Sequence, residues 1–206
     1  MITQRFLVLQ NILQENQVIG HLIHSANNSN ERFILWKGKL PSNSPPIHHG
    51  LGMPLSQGLL QGEPYWLEKS DIVCFLSDCP KLSNIHLQNI LIEVGNTLLF
   101  LHEKGVTHGD ICAQRIGIRN NGHPILIGIG RKTGSPNNDI HNLKQLWNTQ
   151  LSSTPPDFTE ELTTTQQSFH PQIPSSTHTK KEILFEVLSS ANRHIYDAPD
   201  YEFTQF

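Results

Sequence analysis

The period of the hydrophobic pattern changes near Ser70, from two residues before it to about 3.6 after it, and a chain written that way folds as α+β. Residues 5–13, 18–25 and 32–40 are short apolar runs separated by polar turn clusters at 14–17 and 27–30, which predicts a three-stranded meander. In the third run Phe33 and Leu35 face opposite to Ile34 and Trp36. Residues 41–62 then hold four prolines, four glycines and no charged side chain, so no long regular helix passes through them. The runs 55–60 and 63–68, joined at Gln61-Gly62, extend the sheet to five strands.

Beyond Ser70 the spacing predicts a short helix over 71–77 and a long one over 83–104. The long helix carries Leu87, Ile90, Leu91, Val94, Leu98 and Leu101 on one stripe, with Gly105 as its C-terminal cap. Residues 115–119 and 124–128 flank Asn120-Asn121-Gly122, a hairpin signal that needs positive φ. A helix over 139–151 presents Ile140, Leu143, Leu146 and Trp147 and stops at Ser152-Ser153-Thr154-Pro155-Pro156. A weaker helix is expected over 158–167, a loop over 169–177, and a better helix over 179–190 with Ile183, Leu184, Val187 and Leu188 inward. The organisation is a β domain at 1–69, a helical domain at 70–195 and a tail at 196–206.

Composition narrows the classes of partner. With 15 Lys+Arg against 18 Asp+Glu in 206 residues, scattered rather than clustered, the chain has no electrostatic footprint for nucleic acid or an anionic membrane. The apolar runs fall short of the roughly 20 residues that span a bilayer, so membrane insertion is not expected. No secretory signal pattern is visible, and three cysteines make an odd number without metal-site spacing, which points to reducing cytoplasm. A domain of this size buries roughly 70% of its unfolded surface and folds without staples.

The informative stretch runs from Leu98 to Gly130: the end of the long helix, the triplet His108-Gly109-Asp110, the hairpin, and Ile127-Gly128-Ile129-Gly130. It resembles the catalytic-loop region of the protein-kinase-like superfamily, whose order is helix, H-R-D-x-x-x-x-N, hairpin and D-F-G. With the N-terminal sheet and the helix after Asp139 included, the resemblance extends over residues 5–190. It implies a truncated two-lobed fold, with a β-rich N-lobe and a shortened helical C-lobe.

Carried over by position, Asp110 stands where the family has its catalytic base, and a central glycine is typical of small-molecule kinases. Arg115 falls at the metal-binding asparagine, yet a guanidinium offers no lone pair to a cation. Gly128 replaces the D-F-G aspartate and has no carboxylate, so the charge neutralisation that phosphoryl transfer needs is missing. The first turn holds no glycine for phosphate approach. Lys37 occupies the place of the lysine that contacts ATP phosphates, without an acidic partner in 38–62. Only residues 131–138 separate Gly130 from Asp139, too few for a substrate platform, and Asp139 matches the aspartate that props the family's catalytic loop.

The bland readings are set beside these. Asp110 and His108 hold the loop's shape and Lys37 is a solvated strand lysine; the functional reading set against these for Arg115 is a positive charge where magnesium would sit, allowing metal-free nucleotide binding. His21 and His24, three apart on a strand, point to opposite faces and close on no metal. His48-His49 are solvated loop residues, Cys112 is a small buried thiol, and Trp36, Trp66 and Trp147 pack in cores. No metal or obligatory cofactor is called for. The expectation is a pseudokinase that binds a protein partner as scaffold or allosteric regulator, and the alternative is an atypical ATP-dependent phosphotransferase using Asp110 and Lys37.

Overall fold

The computed structural model describes residues 2–14, 17–27, 31–40, 45–79, 82–151, 153–164 and the strand at 181–190. In chain order the elements are β1 (Ile2–Gln14), β2 (Gln17–Ser25), β3 (Arg32–Lys37), β4 (Met53–Leu60), β5 (Glu63–Lys69), β6 (Ile72–Phe75), α1 (Asn84–Glu103), β7 (Ile116–Arg119), β8 (Pro124–Leu126), α2 (Pro136–Leu151) and β9 (Lys181–Ser190). The class is α+β, as the change of period requires. Six strands close an antiparallel barrel in the order β1-β2-β3-β5-β4-β9, and β6-β7-β8 form a second, three-stranded sheet.

Alternation along the strands sorts the apolar side chains into separate cores. Phe6, Ile23, Leu35, Tyr65 and Leu67 cluster together with Leu60 within the barrel. Residues of the opposite parity, Ile34, Trp36 and Trp66, pack outward against Ile72, Phe75, Ile125 and Ile127, which seats the barrel on the second sheet. The third core is the α1 stripe predicted from the sequence, packed with Ile116, Ile118, Leu126, Leu143 and Trp147. All three tryptophans are buried in these cores.

The ends of α1 follow local chemistry. Ser83 caps it by accepting from the His86 amide, and Gly105, at φ +69, ends it as expected. The Gly105 amide donates to the His102 carbonyl and the Val106 amide to the Leu101 carbonyl, the paired bonds of a Schellman turn. α2 begins earlier than the predicted 139: Ser135 Oγ accepts from the Asn138 amide and Pro136 opens the first turn, a serine cap and a first-turn proline that were both readable.

Three predicted helices are corrected. Residues 72–75 form β6, paired with β7 through Ile72↔Arg119 and Phe75↔Gly117, because Ile-Val-Cys-Phe is β-branched and aromatic and buried on both faces, which erases its period. Residues 158–164 are not helical. Phe158 packs onto Gly95 of α1, and the Asn96 amide group both accepts from the Leu162 N–H (2.9 Å) and donates to its carbonyl (2.8 Å), taking the backbone groups a helix would use; residues 165–167 lie outside the described residues. Residues 181–190 are β9, which pairs with both β1 and β4 and joins the barrel rather than a helical domain. Closure leaves neither β1 nor β4 as a bare edge. The loop expected at 169–177 and the tail at 196–206 also lie outside the described residues. Among the described residues, no helix is long and apolar enough to cross a membrane.

Candidate functional site

The turn after Gly105 delivers His108, Gly109 and Asp110 to the junction between the barrel and the helical layer. His108 is fully buried. Its Nδ1 accepts from the Asp110 amide (3.2 Å), which leaves Nε2 to donate to the Ile127 carbonyl (3.1 Å) and fixes the tautomer. Burial pushes the imidazole down to about 4, so it is neutral near pH 7. Asp139, on the first turn of α2, accepts from the backbone N–H groups of His108 and Gly109, both at 2.8 Å, and from His102 Nε2 at 3.0 Å. Burial would raise its carboxyl, but His102 and the loop amides outweigh burial and hold it below the usual carboxylate range.

Gly109 is required by its surroundings. Its φ is +83, and a Cβ there would lie 2.3 Å from the Lys132 carbonyl oxygen. The backbone of 132–134 therefore lies directly on the triplet. From that segment Lys132 reaches Asp110 Oδ1 at 2.8 Å, while Arg115 holds Asp110 Oδ2 through Nε and Nη2, both at 3.0 Å. Burial works to raise the Asp110 carboxyl, and the two cations overcome it and lower it. Both oxygens of the expected base are thus engaged by the chain's own cations.

Arg115 is itself buried, at 2% exposure, and its Nη1 has no hydrogen-bond partner among the described residues. Its guanidinium carbon sits 5.1 Å from the ring centre of Trp36, and that of Arg131 sits 4.7 Å from the same ring. Arg131 Nη1 also donates to the Lys37 carbonyl at 3.0 Å, tying this segment to the end of β3. Trp36 Nε1 in turn donates to Glu68, whose carboxylate accepts from the Gly128 amide at 3.1 Å. A Cβ on Gly52 would lie 1.8 Å from Glu68 Oε1, so only glycine there leaves room for this carboxylate.

The positions singled out by the sequence thus separate into two groups. Asp110, Arg115 and Gly128 come together; the Lys37 side chain does not join them. Lys37 shares the parity of Phe33 and Leu35 and is exposed at the strand's end, and Trp36 takes the place facing Gly128 and Arg115. Reading the sequence missed Trp36, Glu68, Arg131 and Lys132. One signal was present: Glu68 has the parity of Trp66 on β5 and Trp36 the parity of Ile34 on β3, so both belong to the face that turns away from the barrel interior.

Burial pushes the Glu68 carboxyl from 4.5 up to about 7, against the opposing pull of Trp36, Gly128, Arg131 and Arg115. Because its folded value is raised, its contribution to stability is fully present below pH 4.5 and is lost as pH rises through about 7. Glu68→Gln removes that titration. Relative to wild type, the variant is expected to gain about 3 kcal/mol between pH 4.5 and pH 8, read from urea denaturation at each pH. Two profiles that stay parallel over this range would show that Glu68 does not titrate there.

These residues do not fit a magnesium ion. Cations occupy both oxygens of Asp110, Gly128 has no side chain to offer, and among the described residues no three His, Cys, Asp or Glu side chains form a ligand group. The histidines in β2 behave as strand geometry predicts: His21 Nδ1 lies 2.9 Å from Asn11 Oδ1, whereas His24 is buried with Nδ1 2.8 Å from the Ser25 carbonyl. His48 is not simply a solvated loop residue. It is half-buried, its ring 4.4 Å from that of Phe100 and 4.1 Å from that of His49, and it helps line a cavity of about 370 Å³ beside α1. Burial, then His49 and Arg119, push it down to about 4. Compared with known proteins, the chain matches no family model and no curated protein.

Proposed function

We propose that this chain is a catalytically inactive relative of the protein-kinase-like superfamily, a pseudokinase that acts by binding a protein partner. The observation that carries the reading is the state of Asp110: a general base needs a lone pair directed at a substrate proton, and here both carboxylate oxygens are held at 2.8–3.0 Å by Lys132 and Arg115. The Arg115 guanidinium that holds Asp110 is itself stacked on Trp36, 5.1 Å from the ring centre. Asp139 propping the loop from α2 and the order of α1, triplet, hairpin and α2 support membership; the absence of a carboxylate at Gly128 supports inactivity. Five residues, 131–135, link Gly130 to α2, so a substrate-peptide platform has no chain to build it. The binding role follows by fold-level analogy with such domains, and a scaffold or allosteric role fits a site frozen by internal ion pairs.

A thermal-shift titration with ATP, with and without magnesium, tests the inactive half of this reading. No shift in either condition is expected. A ligand at 100 times its dissociation constant stabilises a fold by about 2.7 kcal/mol, well within detection. A magnesium-dependent shift that Lys37→Ala abolishes would overturn it in favour of an atypical phosphotransferase.

A further inference from the structure

Two of the three thiols meet where the chain passes from the barrel to the helical layer. Cys74, on β6, is buried, Cys79 follows the 3-10 turn Leu76–Asp78 and is half-buried, and their Sγ atoms lie 3.0 Å apart. A disulfide bond is about 2.05 Å long, so the two sulfurs need to close by about 1 Å. The intervening chain is anchored on both sides: Phe75 packs in the core shared with the barrel, and Leu76 packs in the core around α1. Gln10 of β1 donates to Asp78 at 2.7 Å, which fixes the turn between the thiols. The cysteine count alone, three and unevenly spaced, gives no such pairing.

The two sulfurs are not equivalent. The contact between the sulfurs lowers the Cys79 pKa and makes it the better thiolate, while the same contact, burial and the nearby Asp78 push Cys74 up against Arg32. Cys79 is also the more accessible of the pair. These are the properties of an attacking and a resolving thiol.

We propose that Cys74 and Cys79 are a reversible thiol–disulfide site whose oxidant is a small-molecule disulfide of the glutathione type. The Cys79 thiolate attacks one sulfur of oxidised glutathione, a mixed disulfide forms, and one glutathione thiolate leaves and takes a proton from solvent. Cys74 then gives its proton to solvent and attacks Cys79 Sγ; the Cys74–Cys79 bond forms and the second glutathione leaves. The two protein thiols lose two electrons and two protons, and the glutathione disulfide gains both. Cys112 takes no part.

The test equilibrates the full chain in glutathione buffers of graded oxidised-to-reduced ratio, quenches with an alkylating reagent and reads peptide masses. Oxidising buffers are expected to lower the alkylated thiols from three to one, with the Cys74 and Cys79 peptides joined, and reduced glutathione should restore all three. Cys74→Ser is expected to stop at a glutathione adduct on Cys79, and Cys79→Ser to form neither adduct nor bond at Cys74. Three alkylated thiols at every ratio, or a bond that includes Cys112, would overturn the assignment. The wild-type arm decides the matter even if the buried Cys74→Ser variant fails to fold.

Discussion

Asp110→Ala is expected to cost the fold about 3–5 kcal/mol, the loss typical of stranding one member of a buried ion pair. Asp110 provides the ion pair of Arg115, which is 2% exposed and already has one Nη1 without a hydrogen-bond partner among the described residues. With the carboxylate gone, the guanidinium keeps, among the described residues, the Trp36 ring, and a π face offsets a small part of the desolvation of a charge. Lys132 loses a partner too, but it is 42% exposed and water replaces the contact. The loss is large against the 5–15 kcal/mol by which a domain is ordinarily stable, and urea denaturation would read it directly. A base retained for chemistry behaves the other way: its removal leaves stability unchanged or raises it, because catalytic groups are held at some expense to the fold. The double variant Asp110→Ala, Arg115→Leu sharpens the contrast. It buries no charge and sets an apolar side chain beneath Trp36, so it should recover much of what the single change loses. A single-variant loss below about 1 kcal/mol would mean that Arg115 does not depend on Asp110.

What was legible in the sequence was whatever a local rule could express. The α1 stripe repeats from Leu87 to Leu101 of a twenty-residue helix that ends on a glycine in a Schellman turn, so period and cap agree. Asn120-Asn121-Gly122 marked the hairpin for a similar reason, since Gly122 has φ +87. β9 failed because Ile183, Leu184, Val187 and Leu188 satisfy helical spacing, while the register of the strand slips opposite Gln57 and Gly58, which breaks the two-residue period that would have disclosed it. Its pairing partners are also more than a hundred residues away, beyond the reach of any local pattern. The site divides along the same line. Asp110, Arg115 and Gly128 were found because a motif fixes their spacing, and the role of Asp139 came with the resemblance. Glu68 was missed because its meaning lies in Trp36, Gly52 and Gly128, which only the fold assembles; its shared parity with Trp66 on β5 gives its face but not its partners. Lys37 shows the converse: its position after Trp36 suited a motif, but the pleat gives the place facing Arg115 and Gly128, on the outer face of the barrel, to Trp36.

Asp139→Ala should be the most damaging single change in the helical layer. The side chain is fully buried and gathers three donors: the amides of His108 and Gly109 and the His102 ring. Alanine fills none of these roles; a buried donor left without an acceptor costs about 1–3 kcal/mol, which applies in full to the His108 amide, while the part-buried Gly109 amide and His102 ring fall at the low end, for a total of about 3–5 kcal/mol. Asp139→Asn keeps one acceptor oxygen but turns an NH2 toward a donor, so it should lie between the alanine variant and wild type. The damage has a definite location. His108 and Gly109 carry the loop that sets Asp110 against Arg115, so freeing their amides loosens that ion pair without touching it. Hydrogen exchange separates this route from general unfolding: protection at the His108 and Gly109 amides should fall more than protection in the middle of α1. Equal losses everywhere would show that Asp139 supports α2 packing alone, and unchanged protection at His108 and Gly109 would remove it as the prop of the loop. A loop propped from α2, whose aspartate then serves as counterion to a buried arginine, ties the helical layer to the barrel through these bonds and the Trp36 ring above them.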